Sequence, residues 1–420
     1  MRPERVVAIV ATLDTKGEEA VFLQNWFCRR GYDARLVDVG TLGDAPLAAR
    51  EPDVSRRRVA AAAGISPEAF AGMRRDEIMA AMGRGAAAVL RRWHDDGVLA
   101  GVIGLGGNQG TAIACTAMRA LPIGVPKVML STVASGNLRP YIGSSDIAVV
   151  FSVGDLLGGL NRVTRGVLVR AAGMLAGMME AAEAPADGGS VPAVAITAFG
   201  NTHPAVSRIM KELRRHGYEV VPFHASGAGG SAMEALVAEG VFRGVIDLTT
   251  HELIGEVFGD DIYAPVQPGR LTVAGRMGIP QVVAPGGLEY FCFGPEESIP
   301  PRYRGRPTHY HNPYNTNVRA TAGELARLGE ELARRLNESR GPVAFLDPLR
   351  GWSQVGSPGG PLWDPEGNEA LRRALRRALR LDRVRYVEVD AAINDPVFAD
   401  EVVRVFLELC THPVTPSGTP

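Results

Sequence analysis

The sequence has few of the residues that mark a disulfide-bonded, membrane-bound or nucleic-acid-binding protein. Its 4 cysteines in 420 residues show no CxxC spacing, so we expect reduced thiols and neither a disulfide framework nor a zinc knuckle. No apolar stretch reaches the roughly 18 residues of a membrane span, and no secretory leader is recognisable, so we expect no membrane partner and a cytoplasmic location. A net charge of -1 gives no reason to expect nucleic acid binding.

Lysine and aromatic residues are also scarce, whereas glycine is abundant. The only lysines are Lys16, Lys127 and Lys211, and aromatic residues make up 6% of a chain that contains 50 glycines. Glycine-rich turns let the backbone approach a ligand, and parallel sheets are filled by Val, Ile, Leu and Ala. The composition therefore favours an α/β protein, and the length predicts two or three domains.

An internal repeat organises the chain. Residues Val7–Gly40 and Val194–Gly227 both read as a β-branched strand, a polar turn, an amphipathic helix ending in glycine, and a second strand, which is one βαβ unit. Shorter matches follow, of 101–107 with 244–250 and of 126–137 with 280–291. Strands that alternate with helices predict parallel sheets with right-handed crossovers.

We therefore predict an α/β protein of two doubly wound parallel-sheet (Rossmann-like) domains related by this repeat. The predicted N-terminal, nucleotide-binding domain covers 1–185, and the predicted C-terminal domain covers 190–420 and carries a helix and strand extension. The boundary is expected within 181–192, a stretch of small residues with Pro and Gly.

Polar and glycine-rich loops follow three predicted strands of the first half, at 11–19 (ATLDTKGEE), 104–112 (GLGGNQGTA) and 130–137 (LSTVASGN). Because the carboxyl ends of parallel strands meet at one edge of a sheet, we expect these loops to converge. A helix N-terminus at that edge would hold a phosphate. The candidate nucleotide-binding residues are Thr12, Asp14, Thr15, Lys16, Gly106, Gly107, Asn108, Gln109, Gly110, Thr111, Ser131, Thr132, Ser135 and Gly136.

Two carboxylates are candidate metal ligands. Asp14 lies in the first loop and Asp146 follows the third, and carboxylate oxygens suit Mg²⁺. Helix capping and ordinary turns would also explain each loop taken alone. The convergence of the three loops is therefore the stronger argument.

The second half places histidines at its predicted strand ends. His224, His251 and the adjacent Glu252 are the catalytic candidates, because imidazole and carboxylate serve in acid-base chemistry and as ligands of Zn or Mn. Further polar candidates are His203, His309, His311, Asn312 and Asn315, and the loop 223–233 with Ser231 is a second candidate anion site. A structural, hydrogen-bonded role is the alternative for each histidine.

These segments together resemble the tomato mosaic virus resistance protein-like ATP-binding family. The matching words include ATLDTKGEE, GLGGNQGTA, YIGSSDI, FHASGAGGSAMEALV, GVIDLTTHEL, FGPEESIPPRYRGRP and INDPVFAD. The resemblance implies two Rossmann-like subdomains, ATP as the ligand and a homodimer. Where a loop like GGSGGT is expected, this chain has GGNQGT, so Asn108 and Gln109 are expected to crowd or re-aim the phosphate site.

The predicted function is that of a cytoplasmic protein that binds ATP and Mg²⁺ and acts on a small-molecule substrate in the cleft between its domains, as an ATP-dependent transferase or ligase. His224 or His251 would be the general base. Two alternatives stay open. One is a nucleotide-responsive binding protein without turnover, and the other is a metal-dependent hydrolase or isomerase that uses the C-terminal histidines.

Overall fold

The computed structural model describes residues 5–43, 51–157, 159–182 and 191–411. Contacts divide the chain into two units, Met1–Asp187 and Gly188–Pro420, and each is described by itself. Within the described ranges, no helix combines the length and the hydropathy that crossing a bilayer requires.

The N-terminal unit is built on one parallel sheet in the order β2-β1-β3-β4-β5. Its strands are β1 (Val6–Ala11), β2 (Asp33–Asp38), β3 (Leu99–Gly106), β4 (Lys127–Ser131) and β5 (Ala148–Phe151). The helices are α1 (Leu13–Cys28), α2 (Arg56–Ala62), α3 (Arg75–Asp95), α4 (Asn108–Arg119), α5 (Arg139–Ile142) and α6 (Arg162–Ala182), with a 3₁₀ turn at Pro67–Gly72.

Both faces of this sheet are buried, as the near-continuous apolar strands predict. Val7 and Ile9 of β1 face a core shared with α1 and α6. Ala8 and Val10, which alternate with them, face a second core shared with α2, α3 and α4. Helices therefore cover both sides, which is the doubly wound arrangement.

The C-terminal unit contains a six-stranded parallel sheet and a smaller antiparallel one. Its strands are β6 (Ala193–Ala198), β7 (Glu219–His224), β8 (Gly244–Asp247), β9 (Gln281–Val283), β10 (Tyr290–Phe293), β11 (Thr308–Asn312), β12 (Asn315–Arg319), β13 (Val343–Pro348) and β14 (Val384–Val389). Its helices are α7 (His203–Arg215), α8 (Ala228–Ala238), α9 (Glu252–Phe258), α10 (Val273–Met277), α11 (Ala322–Asn337), α12 (Pro365–Ala378) and α13 (Pro396–Thr411). The large sheet has the order β14-β13-β9-β8-β6-β7.

The two parallel sheets share a topology. The order β2-β1-β3-β4 in the first unit corresponds to β7-β6-β8-β9 in the second, and all these pairs are parallel. The predicted fold class, two doubly wound domains related by a repeat, is confirmed. The second sheet continues through β13 and β14, which the sequence placed in the C-terminal extension.

The antiparallel sheet, in the order β10-β12-β11, was not predicted from the sequence. It includes the polar candidates His309, His311, Asn312 and Asn315. In β10 the alternating residues Tyr290 and Cys292 pack in one cluster, and Phe291 and Phe293 pack in another. Aromatic side chains on both faces favour a strand in this position.

We predict that Gly85→Ala destabilises the N-terminal unit by about 1–3 kcal/mol, because added volume in a tight helix contact forces the backbone apart. A Cβ at Gly85 would lie 2.0 Å from the Val59 carbonyl oxygen, where α3 crosses α2. Gly173 in α6 has no atom within 4 Å of such a Cβ, so the control Gly173→Ala should instead stabilise by about 0.5–1 kcal/mol. Chemical denaturation measures both, and equal effects of the two substitutions would contradict the packing argument.

Candidate functional site

The three loops predicted to bind a nucleotide, 11–19, 104–112 and 130–137 (the nucleotide loops below), meet at the carboxyl edge of the N-terminal sheet. A Cβ at Gly110 would lie 3.8 Å from Thr12 Oγ1, and one at Gly107 would lie 3.5 Å from Thr132 Oγ1. Thr111 Oγ1 is 2.7 Å from Ser131 Oγ. The meeting point lies beside β1 and β3, where the strand order reverses, which is the usual ligand position in such sheets.

The second loop opens directly into helix α4. Gly107 is its N-cap residue and makes no side-chain cap, so the first N–H groups of α4 have no carbonyl partner within the helix. A Cβ at Gly106 would lie 2.7 Å from the Gly110 Cα, so this close turn requires glycine. The arrangement presents backbone donors and the positive end of a helix dipole to an anion.

Lys16 lies in the first turn of α1 and is 8% exposed. Its backbone departs from the helix, with φ -127° and ψ 25°. Within the described part of the chain, its ammonium group has no hydrogen-bond or ion-pair partner. The side chain is buried while its ammonium group stays accessible, so this group is suited to an external anion.

The other hydroxyl groups of the nucleotide loops form hydrogen bonds within the loops or are exposed. Thr12 Oγ1 is 3.1 Å from Thr15 Oγ1, and Ser131 Oγ also accepts the Val133 N–H. Ser135 and Gly136 are exposed. The structure thus brings the predicted loops together, but the Ser131 and Thr111 hydroxyls are hydrogen-bonded to each other.

Asn108 and Gln109, where the chain departs from the family pattern, are held by neighbouring elements. Tyr141 donates its hydroxyl to Asn108 Oδ1 at 2.7 Å. Gln109 donates to Thr41 Oγ1 at 2.5 Å and accepts from Arg75 at 2.8 Å. These contacts fix both side chains at the start of α4.

Two carboxylates stand side by side at the ends of β1 and β2. Asp14 Oδ2 accepts the N–H groups of Thr41 and Leu42 at 3.0 and 2.9 Å. Asp38 Oδ1 accepts those of Gly40 and Leu13 at 2.8 and 3.2 Å. Burial raises the pKa of Asp38 to about 6, and the nearby Asp14 charge adds to the rise.

The sequence analysis missed Asp38. The available signal was an acidic residue at the end of the second strand of a βαβ unit, a position that often faces a nucleotide.

Asp146 does not join this group. Its Oδ1 is 2.7 Å from Lys127 Nζ, and its Oδ2 accepts the Gly124 N–H at 2.7 Å. Lys127 begins β4 and Ser131 ends it, so Asp146 lies at the opposite edge of the sheet from the nucleotide loops. The two candidate metal ligands Asp14 and Asp146 are therefore not brought together, because Asp146 precedes β5 and is bound to the amino end of β4.

The C-terminal unit has a cavity of about 90 Å³ at the carboxyl ends of β6 and β7. Its lining residues are mainly aromatic or polar, namely Phe199, Gly200, Asn201, His224, Tyr263, Tyr290, Cys292, His311, Asn315 and Asn317. Convergent amide, phenol and imidazole groups in a cavity of this size suit a small polar ligand.

His224 follows the predicted pattern, since it ends β7 and lines this cavity. Its ring lies 5.1 Å from that of Phe199. The residue is exposed, and its partial desolvation lowers its pKa below the usual value, which favours the neutral imidazole that a general base requires.

His251 is fully buried beneath the cavity. Its Nδ1 lies 2.7 Å from the Gly287 carbonyl oxygen, and its Nε2 lies 3.1 Å from Asp261 Oδ2. Burial lowers the pKa of His251, but the charges of Asp261 and Cys292 outweigh it and raise that pKa well above the usual value. Phe199 and Tyr290 flank the ring at 4.9 and 5.3 Å.

Glu252 has a structural position that contradicts its predicted catalytic role. Its carboxylate is fully buried, contacts Arg270 Nε at 2.5 Å, and accepts the N–H groups of Gly227 and Gly230. These amides form the start of α8, so the predicted anion site in loop 223–233 already holds the protein's own carboxylate. Ser231 is likewise engaged and donates to the Gly227 carbonyl oxygen at 2.8 Å.

The remaining polar candidates divide between the cavity and the surface. His311 and Asn315 line the cavity. His203 is exposed at the start of α7, with Nε2 3.2 Å from Ser207 Oγ, and His309 and Asn312 lie on β11 outside the lining.

The sequence analysis missed Asp261, Tyr263 and Cys292. A cysteine in an alternating aromatic strand was the available signal, but it reads as an ordinary buried thiol.

The fold and these two sites define a two-domain α/β protein with a loop site in one domain and a polar cavity in the other. The chain belongs to the uncharacterised protein family UPF0261, whose N-terminal domain matches residues 5–184 and whose C-terminal domain matches residues 191–410. A UPF0261 protein of Clostridium tetani is 39% identical over 96% of this chain and 98% of its own length.

Two further relatives extend this comparison. A UPF0261 protein of Rhizobium meliloti is 39% identical over 96% of this chain and 98% of its own length. The ToMV resistance protein Tm-1(GCR237) of Solanum lycopersicum is 39% identical over 75% of this chain and 42% of its own length. The predicted relationship to tomato mosaic virus resistance proteins is thus confirmed, with the tomato Tm-1 proteins among the homologues.

The raised pKa of Asp38 leads to a prediction about how the stability of the fold depends on pH. Its pKa rises from 3.8 to about 6 on folding, so the folded state binds more protons than the unfolded state between these values, and Asp38 destabilises the fold progressively as the pH rises through this window. Asn at position 38 keeps the accepting oxygen and does not titrate. We expect the stability of Asp38→Asn relative to wild type to increase from pH 4 to pH 7 by at most about 3 kcal/mol. Denaturation at both pH values measures this, and a constant difference would contradict it.

Proposed function

We propose that this protein binds ATP, together with Mg²⁺, at the three nucleotide loops of its N-terminal domain. The observation that carries the proposal is the Lys16 ammonium group, which stays accessible at the end of a buried side chain and has no partner within the described residues. A phosphate group would neutralise it, and the amides at the start of α4 would bind the phosphate oxygens.

The neighbouring groups fit the rest of such a ligand. The Asp14 and Asp38 carboxylates come together beside the loop, since a Cβ at Gly40 would lie 2.9 Å from Asp14 Oδ2 and 3.0 Å from Asp38 Oδ1. Mg²⁺ is usually held by one or two carboxylates and the phosphates of the substrate. The choice of ATP among nucleotides rests on the family resemblance, and the loops themselves support a phosphorylated ligand.

The C-terminal cavity would take a small polar metabolite, with His224 as general base. This assignment makes the protein an ATP-dependent transferase or ligase that acts in the cytoplasm. A nucleotide-responsive binding protein would share the same loops but would consume no ATP.

Lys16→Ala tests the nucleotide site. We expect the affinity for Mg²⁺-ATP to fall at least tenfold, because a charge-assisted hydrogen bond is worth about 1.5–3 kcal/mol. The ligand-free variant should keep a thermal midpoint near that of the wild type, because the Lys16 ammonium has no hydrogen-bond or ion-pair partner within the described residues. Titration calorimetry and thermal denaturation measure the two effects.

Lys211→Ala is the matched control, since Lys211 is exposed on α7 of the other domain, and it should leave affinity unchanged. Unchanged affinity in Lys16→Ala would remove Lys16 from the site. Absence of ATP binding by the wild type would overturn the proposal itself.

We also propose that the protein forms a homodimer through its N-terminal unit. Exposed apolar side chains occur around the edge strand β5 and along α6, at Phe151, Val153, Leu157, Val163, Val169 and Met174. An apolar surface beside an unpaired sheet edge is typical of an interaction site, and the family resemblance names a second copy as its occupant.

Light scattering tests the dimer. We expect a mass of twice 44.7 kDa for the wild type and the monomer mass for Val169→Glu, because a buried charge would oppose association. Val241→Glu, at an exposed position of the other domain, should remain dimeric. A monomeric wild type would contradict the proposal.

A further inference from the structure

A cluster of three potential metal ligands lies below the C-terminal cavity. One ligand atom each from His251, Asp261 and Cys292 lies within 4.8 Å of the other two, and all three residues are buried. These residues come from α9's N-cap, from the segment after α9 and from β10. The cluster belongs to the other domain from the nucleotide loops and is independent of them.

The hydrogen bonds of His251 determine which nitrogen faces the cluster. The Gly287 carbonyl can only accept, so Nδ1, 2.7 Å away, carries the proton. When the ring is neutral, Nε2 presents a lone pair towards the Asp261 carboxylate oxygen at 3.1 Å. Nε2 has no hydrogen bond despite this distance, so two acceptors face each other in a buried position, and only a cation or an added proton would make the contact favourable.

A nucleophilic cysteine triad does not explain this geometry. In such a triad one ring nitrogen serves the nucleophile and the other binds the carboxylate. Here Nδ1 is occupied by Gly287, so Nε2 alone remains for both Asp261 and Cys292. Three potential ligand atoms within 4.8 Å of one another instead fit a metal site.

The surrounding contacts also fit a metal. The Nδ1–H group donates a hydrogen bond to a backbone carbonyl, which is the usual arrangement for a metal-bound histidine. Asn317 donates to Cys292 Sγ at 3.1 Å, and Asp261 Oδ1 accepts the Tyr263 N–H at 2.7 Å. These bonds orient the thiol and the carboxylate.

We propose that His251, Asp261 and Cys292 bind a zinc ion whose fourth position opens to the cavity. Thiolate, imidazole and carboxylate are all zinc ligands, and bonds of about 2.0–2.3 Å in a tetrahedron separate the ligand atoms by roughly 3.2–3.7 Å. Because Cys292 lines the cavity, a small polar molecule there would reach the ion. Three protein ligands and an open position define a catalytic zinc site, which extends the proposed function to a metal-assisted reaction on that molecule.

Metal titration of the full chain tests the site. After treatment with a chelator, the wild type should bind one equivalent of Zn²⁺ and gain thermal stability by mass action. With Co²⁺ in place of Zn²⁺, a sulfur-to-cobalt charge-transfer band should appear. Cys292→Ser keeps the side-chain size and should lose this band and at least tenfold in Zn²⁺ affinity. Cys115→Ser, at a buried thiol of the other domain, should retain both.

Asn317→Ala provides a second variant that leaves all three ligands in place. It should weaken Zn²⁺ binding about tenfold, because loss of an outer hydrogen bond to a ligand typically costs 10- to 100-fold, and should keep the cobalt band. No stoichiometric binding by the wild type, or a band that persists in Cys292→Ser, would overturn the zinc site. Neither measurement involves ATP, so the zinc proposal and the ATP proposal can be contradicted independently of each other.

Discussion

The buried guanidinium of Arg270 is the interaction on which the C-terminal site depends. It contacts carboxylates from three separate elements, Glu234 of α8, Asp247 at the end of β8, and Glu252 of α9. A buried charge of this kind is tolerable only when its partners satisfy it. Burial raises the pKa of Glu234, which limits the excess of negative charge in the cluster.

This network fixes the position of the neighbouring groups. Glu252 follows His251 directly, so the ion pair with Arg270 places His251 beneath the cavity. The same carboxylate binds the start of α8 through the amides of Gly227 and Gly230. A Cβ at Gly230 would overlap Glu252 Oε2, so the tight packing requires glycine there. One cation therefore connects the loops after β7 and β8.

The sequence predicted the fold better than it predicted the sites. The repeat of β-branched runs, helices and terminal glycines at Val7–Gly40 and Val194–Gly227 predicted two doubly wound domains, because parallel crossovers allow few topologies. The antiparallel sheet was not predicted, since β10 spans only four residues and β11 is polar. Short strands are stabilised by tertiary packing that no local pattern reveals.

For the sites, loop convergence was predictable because the carboxyl ends of parallel strands share an edge. The roles of Asp146 and Glu252 were not, because each depends on a partner distant in the sequence, Lys127 and Arg270 respectively. Asp261 and Cys292 lie 31 residues apart and meet only when the backbone N–H of Cys292 bonds to Asp261 Oδ2. Tertiary contacts of this kind leave no spacing signal.

The residues that line the cavity depend on the register in which β12 pairs with its neighbouring strands. Asn315 and Asn317 line the cavity, whereas Thr316 and Val318, which alternate with them, face the other side. A shift of one residue would exchange these faces. The irregular pairing between Tyr310 and Asn312 displaces His311 from the ladder, and this residue also lines the cavity. A bulge on the outer strand thus lets the hairpin contribute polar groups from two strands while it keeps its apolar face against the core.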